Sequence, residues 1–215
     1  MTVAIWLGSA PPMRSIRWLD GAMVAAGKGA TAIAAGDPTW LDLAADRATR
    51  AGLTSVGVPT DLSLDYLGWA QIVAAVVRQI SATLVYVDEA SRPDRAPEVA
   101  AIAELLDAAQ LTRVVAIASD GDVVHATRSQ AGALELVRVH APAVIGLRIA
   151  GAAIDEYPTP MPSASMTRLD LAALGLDAMV LGHRALPPRA SREPRRTVDR
   201  VAEHLVVHRV PRKAT

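Results

Sequence analysis

Cysteine is absent from this 215-residue chain, which excludes disulfides, thiolate metal sites and cysteine nucleophiles. Phenylalanine is absent as well, and aromatic residues make up only 3% of the chain, so any core is packed mainly with aliphatic side chains. Lysine occurs only at Lys28 and Lys213. With 22 basic and 22 acidic residues the formal net charge is zero, which argues against a nucleic-acid binder that works by neutralising phosphates. No apolar run approaches the ~20 residues of a membrane span. The first residues lack the basic-then-apolar layout of a signal peptide, so a cytoplasmic location without membrane insertion is the expectation. Walker A, GxSxG and GxGxxG patterns are missing. His125, His140 and His183 have no serine and aspartate companions that would suggest a triad. His204 and His208 are four apart, as ligands on a helix can be, but no third ligand accompanies them, so no metal is expected.

What is present is apolar material, 51% of the chain, enough for one large domain or a domain with an appended arm. Thr2–Leu7 (TVAIWL), Ala30–Ala35, Thr54–Val58 and Ala82–Val87 are short buried-strand patterns. Between them, helical periodicity is expected over Ser15–Ala26, over Trp40–Ala51 with Gly52 as its stop, and over Leu64–Ile80. A further helix is expected over Pro97–Ala109. Strands alternating with helices argue for right-handed βαβ units and a parallel sheet covered on both faces. After Leu111 the texture changes. Arg113–Ser119, Val123–Ser129, Ala133–His140 and Ala143–Ile149 are four strand-like runs without intervening helices, and Asp120, Gly121 and Asp122 form a hairpin signal. Asp155–Arg168 is a loop rich in Pro, Ser and Met, Pro187–Arg196 is a basic linker, and Thr197–His208 is expected to be a final helix with a Val198, Val201, Leu205 and His208 stripe.

The most informative stretch runs from Tyr86 to Leu106, where a strand ends in a polar loop and a helix begins. Ligands of α/β sheets bind at strand carboxyl ends, where helix N-termini point their free N–H groups. Val87–Val99 (VDEASRPDRAPEV) aligns without a gap to the segment GxQAxDGDxGQVG of the electron transfer flavoprotein β subunits, and Ala103–Leu106 (AELL) closes it as in that family. Ala131–Val144 resembles the family's hairpin, and Glu156, Tyr157 and Pro158 stand where the family opens its partner-recognition loop. The resemblance covers nearly the whole chain and lies in collinearity. Departures are equally plain. The family's long excursion after the first strand is reduced to Ser9–Arg14, its loop glycines and first aspartate are replaced by Arg92, Pro93, Ala96 and Val99, and its lysine-rich loop end is replaced around Met166–Arg168. A divergent paralogue is implied, and the altered loop suits a non-standard partner, such as the mycofactocin-dependent dehydrogenases of actinobacteria.

The resemblance implies an α/β fold, a doubly wound parallel sheet of the adenine nucleotide α-hydrolase-like type, with an added antiparallel hairpin region. Residues 1–182 would form this domain and residues 183–215 a C-terminal arm and helix against a partner subunit. It implies an α-type partner that holds most of a shared FAD, and a nucleotide pocket for AMP or a second FAD at the strand ends. Its candidate residues here are Gly36, Glu89, Ala90, Arg92, Asp94, Arg95 and Glu98. Arg92 and Arg95 offer forks for a phosphate, whereas Asp88, Glu89, Asp94 and Glu98 would repel one unless they point away. Asp94 also fits an N-cap with Pro97 and Glu98 in the first helical turn, and Gly36 fits a plain strand-to-helix turn. On the loop, Tyr157, Met161 and Met166 are candidate anchors for a dehydrogenase; the alternative is a loop packed on its own subunit. Rival functions are a universal-stress-like nucleotide-binding module, which would need a glycine-rich phosphate loop that is missing, and a ligand-free structural subunit. No acid–base or nucleophilic chemistry is expected of the chain itself.

Overall fold

The computed structural model describes residues 2–9, 29–89, 96–148, 165–183 and 206–210. The expected helix over Ser15–Ala26 and the linker over Pro187–Arg196 lie outside them, as does the loop up to residue 164. Ten strands form one sheet. They are β1 (Val3–Gly8), β2 (Thr31–Gly36), β3 (Thr54–Pro59), β4 (Leu84–Asp88), β5 (Ala109–Asp120), β6 (Val123–Gln130), β7 (Ala133–His140), β8 (Ala143–Leu147), β9 (Thr167–Arg168) and β10 (Val206–Val210). The described helices are α1 (Pro38–Arg50), α2 (Tyr66–Gln79), α3 (Ala96–Leu106) and α4 (Ala178–His183). The strand order is β10-β7-β6-β5-β8-β4-β1-β2-β3-β9.

The centre of the sheet is parallel. Ile5 of β1 sits between Ala32 of β2 and Tyr86 of β4. Strand residues alternate between two aliphatic cores. Val3, Ile5 and Leu7 face α1, whereas Ala4 and Trp6 face α2 and α3, and Trp6 and Tyr86 are the largest fully buried side chains. Helices on both faces make the sheet doubly wound, as the alternation of strand and helix patterns predicts. Helix starts follow from capping chemistry. The Asp37 carboxylate accepts from the Trp40 amide at 3.0 Å, and Asp65 accepts from Leu67 and Gly68 at 3.0 and 2.9 Å.

Strands β5, β6 and β7 form an antiparallel meander joined by tight turns at Gly121 and at Ala131–Gly132, all with positive φ. Only one face of it is buried. Val124, Ala126, Val137 and Val139 enter the α1-side core, and His125, Arg138 and His140 face solvent. The first residues of β5 run parallel to β8, which places strand where the sequence pattern continues helix to Ala109. The C-terminal expectation is corrected more sharply. Val206–Val210 is a strand paired antiparallel with β7, with His208 opposite Leu136, and not the end of a helix. Three valines in five residues favour extended backbone, and an unpaired β7 edge offers them a full ladder of hydrogen bonds.

Candidate functional site

The order of the parallel strands reverses after β3. From β1 the order steps to β2 and β3, then the chain crosses back and lays β4 on the other side of β1. The carboxyl ends of β1 and β4 thus flank the switch point, where open α/β sheets bind ligands. Gly8 and Ser9 end β1 there, Asp88 and Glu89 end β4, and the first turn of α3 brings Glu98.

On the β1 side the backbone is held by α1. The Trp40 indole Nε1 donates to the Gly8 carbonyl at 3.0 Å. Gly36, at φ +138°, closes the neighbouring strand so tightly that a Cβ on it would stand 2.8 Å from the Ser9 carbonyl oxygen. Its own carbonyl accepts from the Thr60 amide at 3.0 Å. The space that glycine leaves is taken by the protein's own backbone, which is the geometry of a strand-to-helix turn.

On the β4 side the acids turn inward. Glu98 is 3% exposed, and its Oε1 accepts from the Trp6 indole Nε1 at 2.8 Å, pinning the start of α3 to β1. Glu89 is 4% exposed. Its Oε2 accepts from the Arg113 amide at 2.8 Å, while Oε1 is buried without a hydrogen-bond partner. A register shift in β5 between Leu111 and Val114, with Arg113 at φ +59°, aims that amide at the carboxylate. Gly146 of β8 makes room for the side chain, since a Cβ there would lie 2.9 Å from Glu89 Cγ and closer still to the carboxylate. Burial raises the Glu89 carboxyl above its ordinary range. The Arg113 amide and the charges of Arg148 and Arg113 oppose that rise, and Asp88, itself 2% exposed, adds to it. Tyr86, on the α1-side face of β4, has a buried hydroxyl without a well-aligned hydrogen bond. Burial raises its pKa, and the side chain of Ser119 moderates the effect.

Three buried carboxyl groups gather at one strand end and helix start. The described residues do not fit a phosphate, because like charge in a low-dielectric setting is strongly unfavourable. Of the expected nucleotide residues, the fold brings Glu89 and Glu98 to one strand–helix junction and sets Gly36 at the end of β2. Ala90, Arg92, Asp94 and Arg95 lie outside the described residues. So do Tyr157 and Met161 of the loop. Met166 is half-buried and packs on the α1-side core. Trp6, Trp40, Arg113 and Gly146 were not among the sequence candidates. The two tryptophans carried a usable signal, since a buried indole N–H demands an acceptor; nothing local marks Arg113 or Gly146.

A cavity of about 460 Å³ lies elsewhere among the described residues, between the C-terminal half of α2 and the end of α3, with Gln71, Arg78, Leu105 and Leu174 among its lining residues. Arg78 donates across it to the Leu105 carbonyl. It sits at the opposite end of the helices from the switch point, so it is not the nucleotide position. Among the described residues no group of His, Asp and Glu is arranged to hold a metal, and no helix is long and apolar enough to cross a membrane.

Comparison with known proteins agrees with the architecture. No curated protein matches the chain. The family model described as the electron transfer flavoprotein domain matches residues 20–174, most of the length and every strand from β2 to β9. The chain belongs to the electron transfer flavoprotein family.

Proposed function

We propose that this chain is the β-type subunit of an electron transfer flavoprotein. In this reading it pairs with an α-type subunit that holds most of the FAD, and together they carry electrons from a dehydrogenase toward a quinone-linked acceptor. One observation carries the β-type reading. The segment Val87–Val99, which resembles the β subunits' nucleotide loop without a gap, begins in β4 and ends in α3, at the reversal of strand order. Redox chemistry is the flavin's. The chain's own part is to bind and orient, with the C-terminal arm, residues 183–215, assigned to the α-type subunit and the 155–168 segment to the dehydrogenase.

The nucleotide pocket is read as closed. Asp88, Glu89 and Glu98 are all buried, and one of them is tied to Trp6, so an AMP phosphate at this strand end would meet acids where it needs donors. The test is co-expression with the α-type subunit, followed by a visible spectrum and extraction of bound nucleotides. A yellow heterodimer that releases FAD but no AMP is expected. A colourless chain that purifies alone and ignores the second subunit refutes the subunit assignment, and stoichiometric AMP refutes the closed pocket.

A further inference from the structure

The β3 edge of the sheet is closed by a small clip drawn from far along the chain. Thr167 and Arg168 pair in parallel with Val56 and Gly57, and the Leu169 amide donates to the Gly57 carbonyl at 2.9 Å. The Ser55 hydroxyl donates to the Ser165 carbonyl at 3.1 Å. Arg168 meets Asp42 of α1 at 2.7 Å, an exposed pair that adds little. Met166 packs against the α1-side core and Leu169 against the opposite one, so the segment straddles the sheet's rim.

The pin of this clip is the Met166 thioether. Gly57 lacks the one carbon that would obstruct it. A Cβ there would overlap the Met166 sulfur, stand 3.1 Å from Met166 Cγ and 3.3 Å from Leu41 Cδ2. The sulfur therefore fills a notch with no spare volume on the protein side, in a residue that is itself partly exposed. Two ladder pairs are a short hold, and without the pin the segment keeps only the half-buried Leu169 contact, its exposed ion pair and a few hydrogen bonds.

We propose that Met166 is an oxidation site that controls this clip. A peroxide transfers one oxygen atom to the sulfur; the O–O bond breaks, the thioether is oxidised by two electrons to the sulfoxide, and the second oxygen leaves as water. The added S–O group is polar and larger than the sulfur that fills the notch, so Met166 withdraws and β9 detaches from β3. Its consequence for electron transfer rests on the reading above, because β9 is the carboxyl end of the segment assigned to the dehydrogenase; the chemistry and the release do not.

The full-length chain treated with hydrogen peroxide tests this. Tandem mass spectrometry of the tryptic peptide 149–168 separates oxidation at Met161 from oxidation at Met166. Trypsin cleavage after Arg168 reports detachment of β9 and is expected to speed up at least about fivefold once Met166 is oxidised. Treatment with both methionine sulfoxide reductases should restore the slow rate. Met166→Leu, nearly equal in volume, should keep the clip closed and make cleavage indifferent to peroxide. Gly57→Ala should speed cleavage without peroxide, because its added carbon takes the place of the Met166 sulfur. The proposal is overturned if Met166 stays unmodified while Met161 oxidises fully, or if oxidised Met166 leaves the cleavage rate unchanged. Failure of the heterodimer to form would leave these readouts standing and sink only the functional assignment.

Discussion

Glu89→Gln should make the protein more stable at alkaline pH and leave it nearly unchanged at acid pH. The carboxyl has one oxygen satisfied by the Arg113 amide and one buried with nothing to bond to. Its folded-state pKa is raised, chiefly by burial. Below the pKa of the unfolded chain both states carry the proton, and whatever Glu89 contributes is fully present. As pH climbs, the unfolded chain releases its proton first. The folded protein holds on until its own higher pKa is passed, so stability is lost across that window. A glutamine cannot titrate and should show no such loss. Leaving a buried polar atom unsatisfied costs on the order of 1–3 kcal/mol, more when the group is charged. The neutral amide escapes the part of that cost that belongs to the charge, so the variant's advantage at pH 8 should be on the order of 1–3 kcal/mol, roughly 2–12 °C in melting temperature for a chain of this length. At pH 4.5 the two proteins should agree within about 0.5 kcal/mol, because the amide presents an equally unpartnered NH2 group. Glutamine is also the residue in the family segment that aligns with Val87–Val99. Melting curves of both proteins from pH 4.5 to 8.5 decide the matter. A gap that does not widen with pH, or a variant less stable at pH 8, refutes the assignment of Glu89 as a carboxyl held out of water at a cost.

Two further changes probe features outside the switch point. Tyr86→Phe removes a buried hydroxyl that lacks an aligned partner, so urea denaturation should find it neutral or stabilising by up to about 1 kcal/mol; a loss above that would mean the hydroxyl is well bonded. Gly52→Ala should destabilise by about 1–2 kcal/mol, because Gly52 stands at φ +69° where α1 ends with Gly52 N–H on the Thr49 carbonyl and Leu53 N–H on the Ala48 carbonyl. An unchanged denaturation midpoint would count against that turn.

Much of the fold could be read in the residues because it is built locally. The apolar runs of β1 to β4 and the periodic faces of α1 and α2 sit within a few residues of their expected bounds, and the Asp120–Asp122 turn signal lies at an actual hairpin. Where the expectation failed, the deciding partner was distant. Ala109–Leu111 is extended because β8 lies beside it, and Val206–Val210 because β7 offers an edge. The same holds at the switch point. Its acids are visible as composition, but their inward direction is set by Trp6, 92 residues from Glu98, and by the Arg113 amide, 24 residues from Glu89. Periodicity carries no information about such pairings.

The two outermost strands have a consequence for synthesis. One rim of the sheet is sealed by Thr167–Arg168 and the other by Val206–Val210, so both seals are synthesised after all the other strands. A growing chain that has completed β8 already owns the whole parallel centre, yet shows bare β3 and β7 rims to its surroundings. Such rims recruit foreign strands. Products stopped before residue 167 should accordingly clump or be captured by chaperones, even though nearly all of their core residues are in hand.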